Sequence, residues 1–232
     1  MNKEIQLSVI IPAYCEEDNL GAILPKLKAT LDMLREEYEV LVVGPTDTLD
    51  DSENVCHETG VTFLKRKGGN SYGDAVRAGI KSSKGQYVLF MDADGSHTPE
   101  FISNLYKHRR DYDVVIASRY VKGGGSDNAG ILIFMSFIVN ALYSIFLNLN
   151  CKDVSNSFKL YKKPQLENLK LVSNNFDIIE EILYKLKRSN GNLKILEIPY
   201  FFKGRMFGRS KRNLFIFALS YLFTLARLRM MK

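Results

Sequence analysis

The stretch that decides the fold is "QYVLFMDADGSH", Gln86–His97. Its apolar run, Tyr87 to Met91, stops at two aspartates one residue apart, Asp92 and Asp94, followed by Gly95-Ser96-His97. Aromatic and β-branched residues bounded by Asp, Gly and Ser read as a buried strand that runs into a loop. Carboxylates at the tip of such a strand serve two chemistries. In one, the first aspartate attacks a phosphate and becomes an aspartyl-phosphate. In the other, both carboxylates hold a divalent cation that carries the diphosphate of a nucleotide.

Working outward, four more runs share this character: Leu7–Tyr14, Glu39–Gly44, Val61–Arg66 and Asp113–Tyr120. Helix-length segments near 18–36, 50–59, 72–83 and 98–110 separate them. Apolar strands alternating with helices predict a mostly parallel sheet covered on both faces. Such sheets bind ligands outside the carboxyl ends of their strands. The segments Pro12 to Glu16, Asp92 to Asp94 and Ser118 to Tyr120 should therefore share one rim. No internal repeat and no Pro/Gly/Ser-rich linker interrupts the 232 residues, so one domain with C-terminal additions is expected: 1–210, then a basic, apolar helix over 211–232.

Charge and hydropathy are uneven. The net charge is +6, yet Lys203 to Lys232 holds eight Lys or Arg and no acid, which leaves 24 basic against 26 acidic residues elsewhere. Such a tail suits phosphates or an acidic membrane surface. It lacks the interleaved exposed aromatics or the recognised module that nucleic-acid binding would lead one to expect, so no nucleic acid is expected as a partner. Between Asp127 and Lys152 lie 24 residues without a charge. Within this apolar segment (124–151), Ser136, Asn140, Ser144 and Asn148 recur every four residues and line one helix face. That pattern suits an interfacial helix, or one packed on the domain, better than a span, because polar groups inside a bilayer are costly. The uncharged run Asn213 to Ala226 is too short to span and suits a second interfacial or core-packing helix. Cys15, Cys56 and Cys151 form no C-x-x-C pair, and the apolar opening is too short for a signal peptide. Together these predict a cytoplasmic protein peripherally associated with the membrane.

The phosphatase reading has real support. "VLFMDADGS" is similar to the first motif of haloacid-dehalogenase-type phosphohydrolases, and "VVIASR" to their second. That family's nucleophile belongs on the first strand, however, whereas three strand-helix units precede Asp92. Its paired acids are also missing from a strand end, since Glu180-Glu181 sits in the helical pattern "FDIIEEILYKLKR".

The cation reading covers more of the chain. "SVIIPAYCEEDNL", "YVLFMDADGSHTPEFI", "VVIASRYVKGG" and "FKGRMFGRSK" resemble, in this order, the motifs of family 2 glycosyltransferases. Dolichol- and polyprenyl-phosphate mannosyltransferases are the nearest likeness. The resemblance implies a GT-A-type, Rossmann-like α/β fold with membrane-proximal C-terminal helices. It implies an inverting, metal-dependent transfer of a hexose, mannose before glucose, from a nucleotide-sugar to a polyprenyl phosphate at the cytosolic membrane face. Pro12, Tyr14 and Glu16 match residues that cradle base and ribose. Asp92 and Asp94 match the acids that bind Mg2+ or Mn2+ and the donor diphosphate. Arg119 looks like the arginine facing the phosphates, and Arg205, Ser210 and Lys211 match the motif closing over donor diphosphate and acceptor phosphate. Asp94, Arg119, Arg205 and Lys211 are thus the expected catalytic set.

Three departures stand out. The turn after the second strand, Gly44-Pro45-Thr46-Asp47, lacks the usual acid, for which Asp47, Asp50 or Asp51 would have to compensate. Cys15 replaces the usual Asn and is expected to be a small buried substitute. "ILIFM" replaces a region that often carries an arginine. A sugar hydroxyl as acceptor is the alternative, and would need Asp177, Glu180 or Glu181 as base. A non-enzymatic nucleotide-binding protein is a further one, supported only by the altered turn.

Overall fold

The computed structural model describes residues 4–127, 130–207 and 223–230. Its central sheet has seven strands in the order β3-β2-β1-β4-β7-β5-β8. The chain starts in the middle, at β1 (Leu7–Pro12), and steps outward through β2 (Tyr38–Gly44) and β3 (Thr62–Lys65), all parallel. It then crosses to the other side of β1 to lay down β4 (Tyr87–Phe90). The reversal makes the β1/β4 boundary the switch point at which open α/β sheets leave a crevice. The ends of the first and second motifs meet there.

β5 (Val114–Ser118) and β8 (Ile195–Pro199) continue the parallel direction. β7 (Lys159–Lys162) lies between β4 and β5 and is antiparallel to both. An antiparallel insertion brings its own beginning to the carboxyl ends of its neighbours, so residues 153–158 join the rim. A short ribbon of β6 (Gly125–Ser126) and β9 (Phe201–Phe202) completes that edge.

Side chains alternate across each strand and build two cores. Val9, Ile11, Val40, Val42, Leu89 and Val115 face α1 (Glu17–Met33), α2 (Ser52–Glu58) and α4 (Ile102–Tyr106). Ile10, Val43, Val88, Phe90, Val114 and Ile116 face α3 (Tyr72–Ser82), α5 (Gly130–Phe146), α6 (Lys163–Glu167) and α7 (Ile178–Ser189). The helical segment 223–230 joins this second layer through buried Leu225 and Leu228, and Arg227 reaches Asp177 at 2.8 Å.

The apolar segment folds with Ser136, Asn140 and Ser144 of its polar stripe turned inward, while Asn148 lies beyond the helix end and is exposed. Asn140 is buried, donates to the Ser136 carbonyl and exchanges two hydrogen bonds with Ser155, at 3.0 and 2.9 Å. Ser144 donates to the Leu149 carbonyl, and Asn148 turns the chain with φ of 51°. The opposite face of α5 is apolar and exposed: Ile131 65%, Phe134 60% and Ile145 74%. No described helix is long and apolar enough to cross a membrane.

Candidate active site

β4 ends at Phe90, so Asp92 and Asp94 sit half-buried in the turn beyond it. Asp92 Oδ1 accepts from the Tyr72 hydroxyl at 3.3 Å and from Ser157 Oγ at 2.9 Å. Asp94 Oδ1 accepts from the backbone N–H and the hydroxyl of Ser96, at 3.1 and 2.6 Å. Two partly desolvated carboxylates one residue apart repel each other, and a hard cation relieves that. Among the described residues no group of three or more His, Cys, Asp or Glu side chains forms a complete metal cage. An oxygen pair of this kind fits Mg2+ or Mn2+, which take one or two carboxylates and complete their shell with diphosphate oxygens and water.

The C-terminal motif folds back over this turn. The Met206 N–H donates to the Asp94 carbonyl at 3.0 Å. Gly95, with φ of 79°, leaves room for the Met206 thioether, since a Cβ there would lie 2.3 Å from its sulfur. Arg205 pairs with Glu16, and Phe207 N–H donates to Asn19. Together Cys15, Glu16, Asn19, Asp50, Arg205 and Phe207 line a cleft of about 160 Å3. The first motif and the tail motif thus close one site from opposite ends of the sequence. Ser210 and Lys211 lie outside the described residues.

Pro12 closes β1 in the core, and Tyr14 is exposed at its tip. Cys15 is exposed, not buried. Its φ of 55° puts the chain in the left-handed region, where Asn is tolerated better than most other residues with a Cβ, which accounts for the usual Asn at this place. The altered second turn also has a packing cause. The Phe63 ring lies where a side chain at position 44 would go, so any larger residue there would have to displace the ring. Asp50 shares the cleft with Glu16 and accepts from the Glu17 N–H at 3.1 Å, whereas Asp47 is exposed and does not line that cleft.

Arg119 sits at the tip of β5. Its side chain meets Asp153 through Nε at 2.8 Å and Nη2 at 2.7 Å, and its N–H donates to the same carboxylate. Nη2 also donates to Ser155 at 3.1 Å. Burial alone would raise the Asp153 carboxyl, but the charge and hydrogen bonds of Arg119, with Lys159 behind, hold it below the ordinary carboxylate range.

The acids considered as bases are placed elsewhere. Glu181 accepts from the backbone of Val172 and Ser173 and from Lys185. Asp177 takes Thr224 and Arg227. Glu180 is fully buried, where its charge acts on Lys159.

Two buried residues that hold the rim together were invisible in the sequence. Buried Arg66 donates to the carbonyls of Gly44, Ser71 and Ala13, and so ties the tips of β1 and β2 to the start of α3 beneath Tyr14. His97 is fully buried. Its Nδ1 accepts from the Asp92 N–H at 2.9 Å, so the ring proton sits on Nε2 and goes to Asn156 Oδ1 at 3.2 Å. Burial, the largest influence, holds the His97 imidazole below its ordinary value, against the pull of Asp92 and Asp94.

This geometry agrees with comparison. Residues 8–170 match the model of "Glycosyl transferase family 2". The chain belongs to that family. Within it, the chain is 32% identical over 214 residues to a dolichol-phosphate mannosyltransferase of Pyrococcus furiosus, covering 89% of this chain but only 59% of that relative. It is 29% identical to the Saccharomyces cerevisiae dolichol-phosphate mannosyltransferase, over 89% of this chain and 81% of the relative. It is 31% identical to the Micrococcus luteus undecaprenyl-phosphate mannosyltransferase, over 90% and 88%. Among solved structures, glucosyl-3-phosphoglycerate synthase of Mycobacterium tuberculosis, crystallised with Mn2+, UDP and phosphoglyceric acid, superposes with a TM-score of 0.75. The match covers 98% of this chain and 80% of that one at 17% identity, which establishes a GT-A-like fold. Family 2 membership and the fourth-in-order position of β4 remove the phosphatase reading.

Proposed function

We propose that this glycosyltransferase moves a hexose, mannose before glucose, from a nucleoside diphosphate sugar to a polyprenyl phosphate at the cytosolic face of a membrane. The observation that carries the proposal is the seating of α5. Its apolar face is exposed, while its inward Asn140 bonds Ser155, which in turn bonds Arg119. A helix that turns its polar stripe to the protein and its phenylalanines outward belongs at a lipid interface. Phe137 on it also touches Tyr120, the neighbour of Arg119. A lipid phosphate emerging beside α5 would therefore meet the cation-bearing side of the rim. The names of the relatives agree, since they specify dolichol or undecaprenyl phosphate.

The chemistry follows from the acceptor. A polyprenyl phosphate oxygen is already an anion at neutral pH, so it attacks the anomeric carbon without a general base. The bond from that carbon to the diphosphate breaks, and the nucleoside diphosphate leaves with the electron pair. One displacement inverts the centre. Asp92 and Asp94 would hold the Mg2+ or Mn2+ ion, which when bound neutralises charge on the leaving diphosphate. Arg119, Arg205 and Lys211 offset the repulsion between two anions brought into line. The engaged or buried state of Asp177, Glu180 and Glu181 weighs against a hydroxyl acceptor, which would need one of them as base.

The test is transfer of labelled sugar to a short polyprenyl phosphate from GDP-mannose, UDP-glucose, UDP-N-acetylglucosamine or UDP-galactose with Mn2+. Label from GDP-mannose should enter the organic phase and be lost with EDTA. Metal-dependent donor hydrolysis without any lipid product would instead favour a hydroxyl acceptor.

The interfacial role has its own test. Phe134→Ser combined with Ile145→Ser should lower binding to anionic vesicles at least tenfold, because each buried side chain of this size contributes about 2 kcal/mol. Both positions are exposed, so the thermal midpoint should not move. Unchanged vesicle binding would remove α5 from the interface.

A further inference from the structure

Three loops from three strand ends meet at His97. The first is its own turn, after β4. The second is the segment 153–158 that enters β7, and the third is the tip of β5. Asn156 Oδ1 accepts a hydrogen bond from His97 Nε2, its amide donates to the Ala117 carbonyl at 2.5 Å and its backbone N–H donates to Asp153 Oδ1 at 3.2 Å. Asp153 in turn grips Arg119. One residue on, Ser157 holds the Asp92 carboxylate, so Asp92 is fixed at its backbone by His97 and at its side chain by the same segment.

Packing alone does not explain a histidine here. The ring stacks on Phe158 at 4.6 Å and meets Tyr200 and Phe202 edge-on, a slot that phenylalanine would fill. A fully buried imidazole costs desolvation unless both nitrogens are bonded. Both are, and in a fixed sense: Nδ1 accepts from the turn and Nε2 donates to the brace.

We propose that His97 and Asn156 are positioning residues that hold Asp92 and Arg119 in one fixed relation, so that a single buried network sets the donor-side carboxylate and the acceptor-side cation. This rests on the reading of Asp92 as a metal-holding residue. Residues that orient ligands without touching the ion are typically worth 10–100-fold in metal affinity.

The experiment measures Mn2+ uptake by electron paramagnetic resonance on the full chain, with GDP or UDP according to which the wild type takes up. Asp92→Asn should abolish uptake. His97→Phe, which fills the slot, and His97→Gln, which moves the amide out to the Nε2 side, should each weaken uptake at least tenfold. His97→Asn, whose amide oxygen replaces Nδ1, should stay within about threefold of wild type. In His97→Phe the KM for polyprenyl phosphate should rise as well, by at least fivefold.

A folded His97→Phe with wild-type Mn2+ affinity would overturn the proposal. If that variant does not fold, equal affinity in His97→Gln and His97→Asn would overturn it instead. Wild-type uptake by Asp92→Asn would sink the metal reading itself, an outcome distinct from the failure of His97 alone.

Discussion

Replacing Asp94 by asparagine is expected to lower sugar transfer by about a thousandfold and to leave the fold intact. The two halves of that expectation come from different atoms. Asp94 Oδ1 accepts from the Ser96 N–H and hydroxyl, and the backbone carbonyl accepts from Met206. An amide oxygen keeps both side-chain contacts, so the turn and its tail cover should survive. The negative charge is lost, and with it half of the pair that would hold the cation against the donor diphosphate. Metal stabilisation of a leaving group contributes several kcal/mol. A loss of about 4 kcal/mol corresponds to roughly a thousandfold in rate. Initial rates with labelled donor and polyprenyl phosphate measure it, beside a thermal midpoint within a few degrees of wild type. Transfer within tenfold of wild type would remove Asp94 from the chemistry.

The reason Asp92 and Asp94 are legible in sequence is physical. An apolar run that ends in two acids leaves few folds in which the acids are not at a strand tip, and the alternation of helix and strand around it specifies a parallel sheet. The first five strands were readable for the same cause, since β1, β2, β4 and β5 are mostly buried on both faces and the edge strand β3 keeps the same aromatic and apolar character. β7 was not. Its "KLYK" carries Lys159, which reads as exposed yet is fully buried, with Nζ on the Val154 and Asn156 carbonyls. With β7 unseen, nothing in the polar "DVSNS" before it marked Asp153, Asn156 and Ser157 as parts of the rim. The stripe of Ser136, Asn140 and Ser144 was visible, but periodicity does not say which face turns inward. Only the contact with Ser155 does. The bend at Cys15 and the ring over Gly44 depend on backbone angle and on a residue far along the chain, and neither leaves a local pattern.

Lys159 leads to the second large effect. Asp153→Ala should destabilise the protein by about 3–5 kcal/mol, the cost of removing one partner from a buried ion pair. Asp153 is fully buried and the Arg119 side chain is 13% exposed, so water cannot take over the missing contact. Lys159 would suffer too. Burial lowers it to about 8, and Asp153 is the first of the charges that keep it from falling further. The sign of the pH dependence follows from this. A lysine whose folded value lies below its unfolded one penalises folding while protonated, so stability rises as pH climbs from the folded value towards about 10.4. In the wild type that rise begins near pH 8. In Asp153→Ala it should begin lower, because the protonated lysine has lost the counter-charge that acts on it most strongly. At the acid end the wild type carries a contribution from Asp153 that is complete above the unfolded carboxyl value and is lost as pH falls through the lower folded one. The variant should lack that step. Urea unfolding at about pH 3, 5, 7 and 9.5 separates the two effects, and a loss under 1 kcal/mol at pH 7 would refute the pairing. Transfer should fall together with stability, since Asn156 and Arg119 both lose the oxygen that aligns them. The buried charge that stabilises this edge of the sheet is also the anchor of its cationic rim.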